Sequence, residues 1–409
     1  MNARILSITA RSVFRQRSRA TFGLTAIVAG VVALVIAGGF IEWNLWALRE
    51  GTIQSRLGHV QVVREGFRTA GAADPRAYLL PEGSAELASI EALPHVKVAT
   101  PRLGFAGLIS HGETTVSFLG EGVVPEKEQA ISRYLSFGEG KGLSSDEPDG
   151  ITLGKGLAAS LGVGAGDRVV LLVANPRGGI TAAEAVVRDT FYTSSKAYDD
   201  AALRVPLPMA RRLVGANGAH SWVVLLDDTD RTDAAMAAMR ARLDRGPGRY
   251  ELVPWHAQAD YYAKVKRLYS AQLDVLQLII AVVITVSISN ALVMSVIERT
   301  SEIGTMMAMG SRRRTILGMF VAEGALVGLI GALAGVVLGW LLALAISAIG
   351  IPMPPSPGMD FSYVGRVTVT VPVAVSAAAV ALIAALAGSL YPAWKASRLP
   401  IVDALRHSK

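Results

Sequence analysis

The segment spanning residues 298–314 combines residue types and spacing that suit contact with a protein or a membrane surface. Its apolar positions recur at i, i+3, i+4 and i+7, so one face of a helix would present Ile303, Met306, Met307 and Gly310. Flexible methionine side chains suit a contact that repacks during a working cycle. The chemistry predicted here is therefore binding rather than catalysis.

The charged residues of the same segment lie on the other side of the predicted helix. Glu298 and Glu302 stand one turn apart with Arg299 beside them, and the run Arg312–Arg314 follows. Carboxylates placed in this way suit pairing with basic groups of a partner protein. Arginines next to apolar segments equally suit a helix that lies on lipid head groups. The residue pattern by itself leaves both interpretations open.

No catalytic or metal-binding arrangement is recognisable in the rest of the sequence. The chain has no cysteine, and its histidines are scattered without the spacing of metal ligands. The nucleotide-binding pattern G-x-x-x-x-G-K-[ST] does not occur, because Lys141 and Lys155 lack the following Ser or Thr. Ser110, His111 and Glu113 lack a nucleophile elbow and predict a β-turn. We therefore expect no enzyme activity, no metal and no cofactor in this chain.

Four apolar segments are each long enough to span a bilayer, which takes about 20 residues. The composition agrees, because 51% of the 409 residues are hydrophobic and only 18% are charged, against about a quarter charged in ordinary soluble proteins. The predicted transmembrane helices cover residues 20–41, 273–297, 315–350 and 371–394. The first apolar run is too long for a cleaved signal peptide and predicts an uncleaved anchor.

The distribution of charge predicts the orientation of the chain in the membrane. The N-terminal segment 1–19, the segment 298–314 and the tail 395–409 carry +5, +2 and +3, whereas the whole chain carries +7. The positive-inside rule places these three basic segments in the cytoplasm. The basic character therefore reflects membrane topology and contact with membrane lipids, and nucleic acid is not expected as a partner.

Residues 42–272 are expected to form an extracytoplasmic domain, because short β-rich runs alternate there with helical stretches and Gly- or Pro-containing turns. Two lobes are predicted, divided near residues 125–150 and 200–205. Residues 264–273 would continue the second membrane helix outward as a stalk, and residues 351–370 would form a short external loop. The predicted fold class is thus a membrane protein with four transmembrane α-helices and a large α+β extracytoplasmic domain between helices 1 and 2.

The third apolar run contains one charge and a row of glycines. Burying an acid at the centre of a bilayer costs about 2.5–3.5 kcal/mol, so Glu323 is expected to pair with Arg312, Arg313 or Lys395, or to lie at the membrane surface. Small residues at four-residue spacing let membrane helices approach closely. The glycines predicted to pack against another helix or a second permease are Gly324, Gly328, Gly331, Gly335 and Gly339.

Five sequence motifs, spread over almost the whole chain, have counterparts in a known family. Three adjoin the membrane: ERTSEIGTMMAMGSRRRTI (298–316), FVAEGALVGLIGALAGVVLG (320–339) and YPAWKASRLPIVDALR (391–406). Two lie in the large domain: ITLGKGLAASLGVGAGDRVVL (151–171) and LGHVQVV (57–63). Together with the order of helices, they resemble the FtsX/MacB/LolC-LolE superfamily of ABC transporter permeases. The motif at residues 57–63 is most like the lipoprotein-release branch.

The resemblance implies partners and site residues. Such permeases work as dimers, with an identical or homologous second permease and two copies of an ABC ATPase on the cytoplasmic side. Because only 19 residues precede the first apolar run, the ATPase, with its ATP and magnesium, is expected on a separate chain. The resemblance makes segment 298–314 a coupling helix whose ATPase-contacting residues are Glu298, Arg299, Glu302, Ile303, Gly304, Met306, Met307, Gly310 and Arg312.

The function implied is that of a non-catalytic permease subunit in the cell inner membrane, with both termini cytoplasmic and the large domain periplasmic. ATP hydrolysis by the partner would drive work in the periplasm, and the motif at residues 57–63 favours release of lipoprotein or another lipid-linked cargo. The alternatives are efflux of peptides or drugs through an adaptor, force transmission to a cell-wall hydrolase without transport, and a membrane receptor without an ATPase.

Overall fold

The computed structural model describes residues 17–400 except 72–73, 82, 133–135, 139, 176–178, 194, 245, 247 and 355–361. The chain forms two compact units. The membrane unit combines Met1–Leu45, Val265–Pro352 and Val364–Lys409, and the sheet unit combines Trp46–Lys264 and Met353–Tyr363.

The helices, in chain order, are α1 (Arg17–Thr52), α2 (Phe67–Ala70), α3 (Ala85–Glu91), α4 (Pro125–Ile131), α5 (Lys155–Leu161), α6 (Lys196–Asp199), α7 (Leu207–Val214), α8 (Thr232–Leu243), α9 (Asp260–Glu298), α10 (Thr300–Ala308), α11 (Arg313–Ile349) and α12 (Val371–Ser397). The strands are β1 (Val60–Arg64), β2 (Val96–His111), β3 (Thr114–Val123), β4 (Ser136–Phe137), β5 (Gly150–Gly154), β6 (Arg168–Ala174), β7 (Ile180–Tyr192), β8 (Ala202–Pro206), β9 (Ser221–Leu226), β10 (Tyr250–Pro254), β11 (Ile351–Met353) and β12 (Tyr363–Gly365).

Four helices in the described part of the chain are long and apolar enough to cross a membrane: α1, α9, α11 and α12. This confirms the predicted fold class. The first helix extends beyond its predicted apolar segment, because α1 runs on to Thr52, and α9 begins at Asp260, so it includes the predicted outward continuation over residues 264–273. The additional residues are mainly good helix formers, so the helices continue past the point where the apolar run ends.

The glycines of α11 pack inside the membrane unit of the one chain. A Cβ added to Gly328 would lie 2.5 Å from the Cβ of Ala385 in α12, and one added to Gly335 would lie 2.6 Å from the Cβ of Val31 in α1. Gly324 also faces α12, whereas the two remaining glycines, Gly331 and Gly339, face α1. Seven residues nearly complete two helical turns, so all five glycines lie on one buried face of α11. The first two contact α12, and the last three, farther along the helix, contact α1.

The sheet unit is built on one long sheet with strand order β10-β1-β9-β2-β3-β8-β5-β7-β4, and β6 pairs with β2 and β7. The long strand β2 belongs to both parts of the sheet, because its two ends pair with different strands. Val96–Arg102 pairs with β9, while Leu108–Ser110 pairs with β6. Short helices complete the α+β arrangement that the sequence pattern predicts.

The two largest hydrophobic clusters among the described residues of the sheet unit divide at different positions from the two predicted lobes. One is built from residues between Leu103 and Leu213, and the other from residues between Val60 and Ala99 together with residues between Trp222 and Leu252. The boundary between the two clusters therefore falls inside β2, between Ala99 and Leu103, rather than near residues 125–150. A strand that stays extended across the division carries no turn signal there, which explains why the pattern missed it.

His59 ties the end of α1 to the sheet through a chain of hydrogen bonds. Its Nδ1 accepts from the Leu226 amide at 3.0 Å, which assigns the ring proton to Nε2, and Nε2 donates to Thr229 Oγ1 at 2.9 Å. The Thr229 hydroxyl then donates to the Glu50 carboxylate at 2.8 Å. Burial lowers the pKa of His59 to about 4, so the ring is neutral at neutral pH.

We expect the sheet unit to lose stability as the pH falls from about 6.5 to about 4. In that window unfolded His59 takes up a proton while folded His59 does not, which favours unfolding by up to about 1.4 kcal/mol per pH unit. Above that window the contribution is fully present. Thermal unfolding of the full chain across this pH range measures the effect. A His59→Asn variant, whose side-chain oxygen can accept from the Leu226 amide, should show a flatter dependence, and an unchanged dependence would contradict the assignment.

Candidate coupling site

A short helix connects the second and third membrane helices. α9 ends at Glu298, and Arg299 then leaves the helical path with φ −103° and ψ 14°. α10 follows as a separate helix of nine residues, Thr300–Ala308. The break allows α10 to take a direction different from that of α9.

Gly310 ends α10 by a left-handed turn. Its φ of 92° is a conformation that glycine adopts without strain. The Gly310 amide donates to the Met307 carbonyl and the Ser311 amide to the Met306 carbonyl, both at 3.0 Å, which is the Schellman pattern. Gly310 is therefore a structural turn, and its predicted role in ATPase contact is not needed to explain it.

The arginine run belongs to the next helix rather than to the coupling helix. Arg312 is the N-cap residue of α11, with φ −72° and ψ 144°, and Arg313 is the first residue of that helix. The segment predicted as one helix over residues 298–314 is thus three pieces: the end of α9, α10 and the start of α11. The pattern missed this because apolar spacing does not report the positive φ at Gly310.

The apolar face of α10 packs against this chain itself. Ile303 is fully buried and Met307 nearly so, and both belong to the hydrophobic cluster that contains Ile316 and Phe320 of α11. Ile303 and Met307 thus face this chain's own helices, which contradicts their predicted contact with the ATPase. Gly304 is also buried, and Met306 is half-buried against the same cluster. The apolar side chains of α10 therefore fill the contact between α10 and α11.

The outward face of α10 carries a different set of residues. Glu302, Thr305 and Met309 follow one another at spacings of three and four and are exposed, as is Glu298 at the end of α9. The Glu302 side chain is 59% exposed and Met309 is 75% exposed. Met309 was not among the predicted contact residues, although its position seven residues after Glu302 places it on the same helical face.

Arg299 links the outward face of α10 to the interior of α11. Its Nε lies 3.2 Å from Glu302 Oε2 and its Nη1 lies 3.4 Å from Glu323 Oε2. Its guanidinium also lies 6.0 Å from the centre of the Phe320 ring. Glu323 therefore pairs with Arg299, whereas Arg312, Arg313 and Lys395 were the predicted partners. Arg312 and Arg313 are exposed at the start of α11, and Glu323 is only 8% exposed.

We expect Glu323→Gln to destabilise the membrane unit by about 1–3 kcal/mol, because the variant removes a charged partner from a buried hydrogen bond. Thermal unfolding of the full chain in detergent measures the change. The matched variant Glu302→Gln removes the exposed partner of the same arginine and should cost about 0–1 kcal/mol. Equal losses in the two variants would contradict a special role for the Arg299–Glu323 pair.

Two family models match the chain. The MacB-like periplasmic core domain matches residues 24–242, which is more than half of the sequence, and the FtsX-like permease C-terminal model matches residues 275–401. The second model contains α10 and the whole outward face from Glu298 to Met309. The family assignment thus covers both units.

Three relatives illustrate the range of similar proteins. The lipoprotein-releasing system transmembrane protein LolC of Xylella fastidiosa is 27% identical over 77% of this chain and 78% of its own length. The pyoverdine export ATP-binding/permease protein PvdT of Pseudomonas aeruginosa is 31% identical over 52% of this chain and 31% of its own length. The macrolide export ATP-binding/permease protein MacB of Rhodospirillum rubrum is 28% identical over 98% of this chain and 60% of its own length.

The family models and the relatives agree with the resemblance that the motifs indicated, and the observed architecture has the four membrane helices and the α+β domain that it implied. The matches include relatives named for lipoprotein release and relatives named for export. They therefore identify the type of transporter subunit but not its cargo. The chain is an ABC transporter permease of the LolC/MacB family.

Proposed function

We propose that α10 receives ATP-driven motion from an ABC ATPase on a separate chain, and that this permease passes the motion to its sheet unit. The observation that carries the proposal is the pair of contacts made by Arg299. This side chain holds Glu302 on the outward face of α10 and Glu323 inside α11. A push on α10 would therefore reach a membrane helix through a direct ionic contact.

The outward face fits a basic groove with an apolar floor. Glu298 and Glu302 offer carboxylates for the basic groups, and Met309 offers an exposed, flexible apolar side chain in place of the buried Ile303 and Met307. The exposed arginines at the start of α11 suit anionic lipid head groups beside the contact. ATP and magnesium would be bound by the partner and not by this chain.

The proposed ATPase belongs to a separate chain. This chain spans 78% of the LolC relative, and 60% and 31% of the two relatives named as ATP-binding/permease proteins. Two ATPase copies and a second permease, identical or homologous, complete the proposed assembly. Its proposed place is the inner membrane, with both termini cytoplasmic and the sheet unit periplasmic, as the positive-inside rule indicates.

The proposed cargo is a lipoprotein or another lipid-linked molecule that is released from the membrane. The name of the LolC relative and the motif at residues 57–63 favour this cargo. The relatives named for macrolide and pyoverdine export favour a second candidate, which is efflux of peptides or drugs through an adaptor. Force transmission to a cell-wall hydrolase is the third outcome that an experiment must distinguish.

Purification of the tagged full chain from its own membranes, followed by protein and lipid mass spectrometry, tests the proposal. Recovery of an ABC ATPase with an acylated lipoprotein would support lipoprotein release. An adaptor and an outer-membrane duct would favour efflux instead, and a hydrolase without cargo would favour force transmission. A chain that purifies without any ATPase under conditions that preserve membrane complexes would contradict the proposed coupling.

A further inference from the structure

The first membrane helix ends inside the sheet unit in an unusual turn. α1 passes into a π-helical turn, Ile53–Leu57, and the Gly58 amide closes the turn by donating to the Ile53 carbonyl at 2.9 Å. Only glycine fits here, since its φ is 64° and an added Cβ would lie 2.5 Å from Val223 Cγ1. The last carbonyls of a helix have no partner within the helix, so other groups must satisfy them.

Two buried arginines supply those partners. Arg204 on β8 donates from Nη2 to the Ser55 carbonyl at 2.8 Å, and Arg102 on β2 donates from Nη1 to the Arg56 carbonyl. Positive groups at this end of a helix also interact favourably with its dipole. The end of α1 is therefore held by side chains of two different strands of the sheet.

Both arginines are fixed in turn by buried carboxylates. Arg204 lies 3.2 Å from Glu128 of α4 and 3.3 Å from Glu121 of β3, and Arg102 forms an ion pair with the same Glu128. In these contacts two guanidinium groups face two carboxylates. Burial alone would raise the pKa of Glu121, but the neighbouring guanidinium groups of Arg102 and Arg204 outweigh burial and hold that pKa below its usual range.

The directional character of this cluster distinguishes it from ordinary core packing. Replacing a buried ion cluster by apolar side chains of similar volume is often neutral or stabilising, so its presence is weak evidence for stability. Hydrogen bonds to two consecutive carbonyls instead define one position and orientation of the helix end relative to β2, β3 and β8. Those strands are neighbours near the middle of the sheet.

A small hydrophobic cluster surrounds the same turn and includes the approach to the second membrane helix. Ile53 and Leu57 belong to it, together with Ile131 of α4 and with Trp255 and Ala259, which precede α9. The turn that follows α1 and the residues that precede α9 therefore share one cluster within the sheet unit, and Arg102 and Arg204 contact the first of these segments.

We propose that Arg102 and Arg204 are the positioning residues through which movement of α1 is transmitted to the sheet. The inference rests on the proposed function, in that ATP-driven movement of the membrane helices must exist for it to be transmitted. It goes beyond that function because it names the contacts by which the periplasmic work would begin. Loss of these contacts should leave ATP hydrolysis intact but prevent the movement of α1 from being transmitted to the sheet.

The test compares hydrogen exchange in the full permease bound to its co-purifying ABC ATPase, without nucleotide and after trapping with ATP and orthovanadate. Amide exchange reports local opening element by element. The charge-balanced variant Arg204→Met/Glu128→Gln removes the Ser55 contact without leaving an excess buried charge. In this variant, the nucleotide-dependent change in amide exchange should persist in α10 and α1 but should be about tenfold smaller in β2 and β8. ATP turnover should be unchanged.

The matched control is Arg168→Met on β6, which removes an arginine whose ion pair with Glu184 is exposed on the same sheet. It should behave like the unmodified chain. If the double variant fails to fold, Arg204→Lys decides, because one ammonium group keeps the charge but cannot span the Ser55 carbonyl and both carboxylates. Undiminished changes in β2 and β8 in the folded variant would overturn the proposal. Absence of any nucleotide-dependent change in α10 of the unmodified chain would instead contradict the proposed function.

Discussion

Glu302→Lys is expected to abolish association with the ATPase while leaving membrane insertion intact. The variant reverses the charge of a carboxylate that is 59% exposed on the outward face of α10. Glu302 lies outside the hydrophobic cluster that α10 shares with α11. Losing one partner of a hydrogen-bonded charge pair at an interface costs about 2–5 kcal/mol, or at least about thirtyfold in affinity. Co-purification of the ATPase with the tagged chain measures the effect.

The control for this variant is Glu113→Lys, which reverses an exposed carboxylate in the turn between β2 and β3. It changes the net charge equally and should leave ATPase association unchanged. Met309→Ala should give an intermediate loss, because it removes only the exposed apolar contact. Full recovery of the ATPase with the Glu302→Lys chain would refute the assignment of this face.

Gly335→Ala is expected to cost the membrane unit about 2 kcal/mol or more, because the added methyl group overfills the contact between α11 and α1. The new Cβ would lie 2.6 Å from Val31 Cβ and 3.1 Å from the Val28 carbonyl oxygen. Neither neighbour is the end of a flexible side chain, so one helix must shift. Thermal unfolding of the full chain in detergent measures the loss.

Gly318→Ala is the matched control, since it adds the same methyl group to the same helix where, apart from the helix's own neighbouring backbone, no atom lies within 4 Å. By helix propensity alone, alanine should stabilise α11 there by up to about 1 kcal/mol. The two variants are thus expected to change stability in opposite directions. A loss at both positions would mean that helix flexibility, rather than close packing, accounts for the glycine at 335.

The number of membrane helices and the fold class followed from the sequence because hydrophobic length is a local property. A bilayer requires about 20 apolar residues per crossing and internal backbone hydrogen bonds, so four such runs specify four helices wherever they pack. The α+β character of residues 42–272 followed from alternation and turn residues in the same way. The end of α1 did not, because polar helix formers extended it to Thr52, whereas the outward continuation of α9 over residues 264–273 was predicted.

The candidate site was located by the sequence, but its inward and outward faces were decided by tertiary contacts. Periodicity identified Ile303, Met306 and Met307 as one face of a helix, and the fold turned that face toward α11 rather than toward a partner. The spacing of an amphipathic helix reports that a face is covered, not what covers it. Met309 became the exposed apolar residue for the same reason.

Charge pairing over long distances could be resolved only in three dimensions. The sequence marked Glu323 as costly within an apolar run and therefore in need of a partner, but Arg299 was separated from it by a helix and a turn. The cluster of Arg102, Arg204, Glu121 and Glu128 had no local signature at all, because its members come from three strands and a helix. Sequence by itself determined which elements form and which side chains require partners, whereas only the tertiary structure decided which partners they meet, because those contacts join residues far apart along the chain.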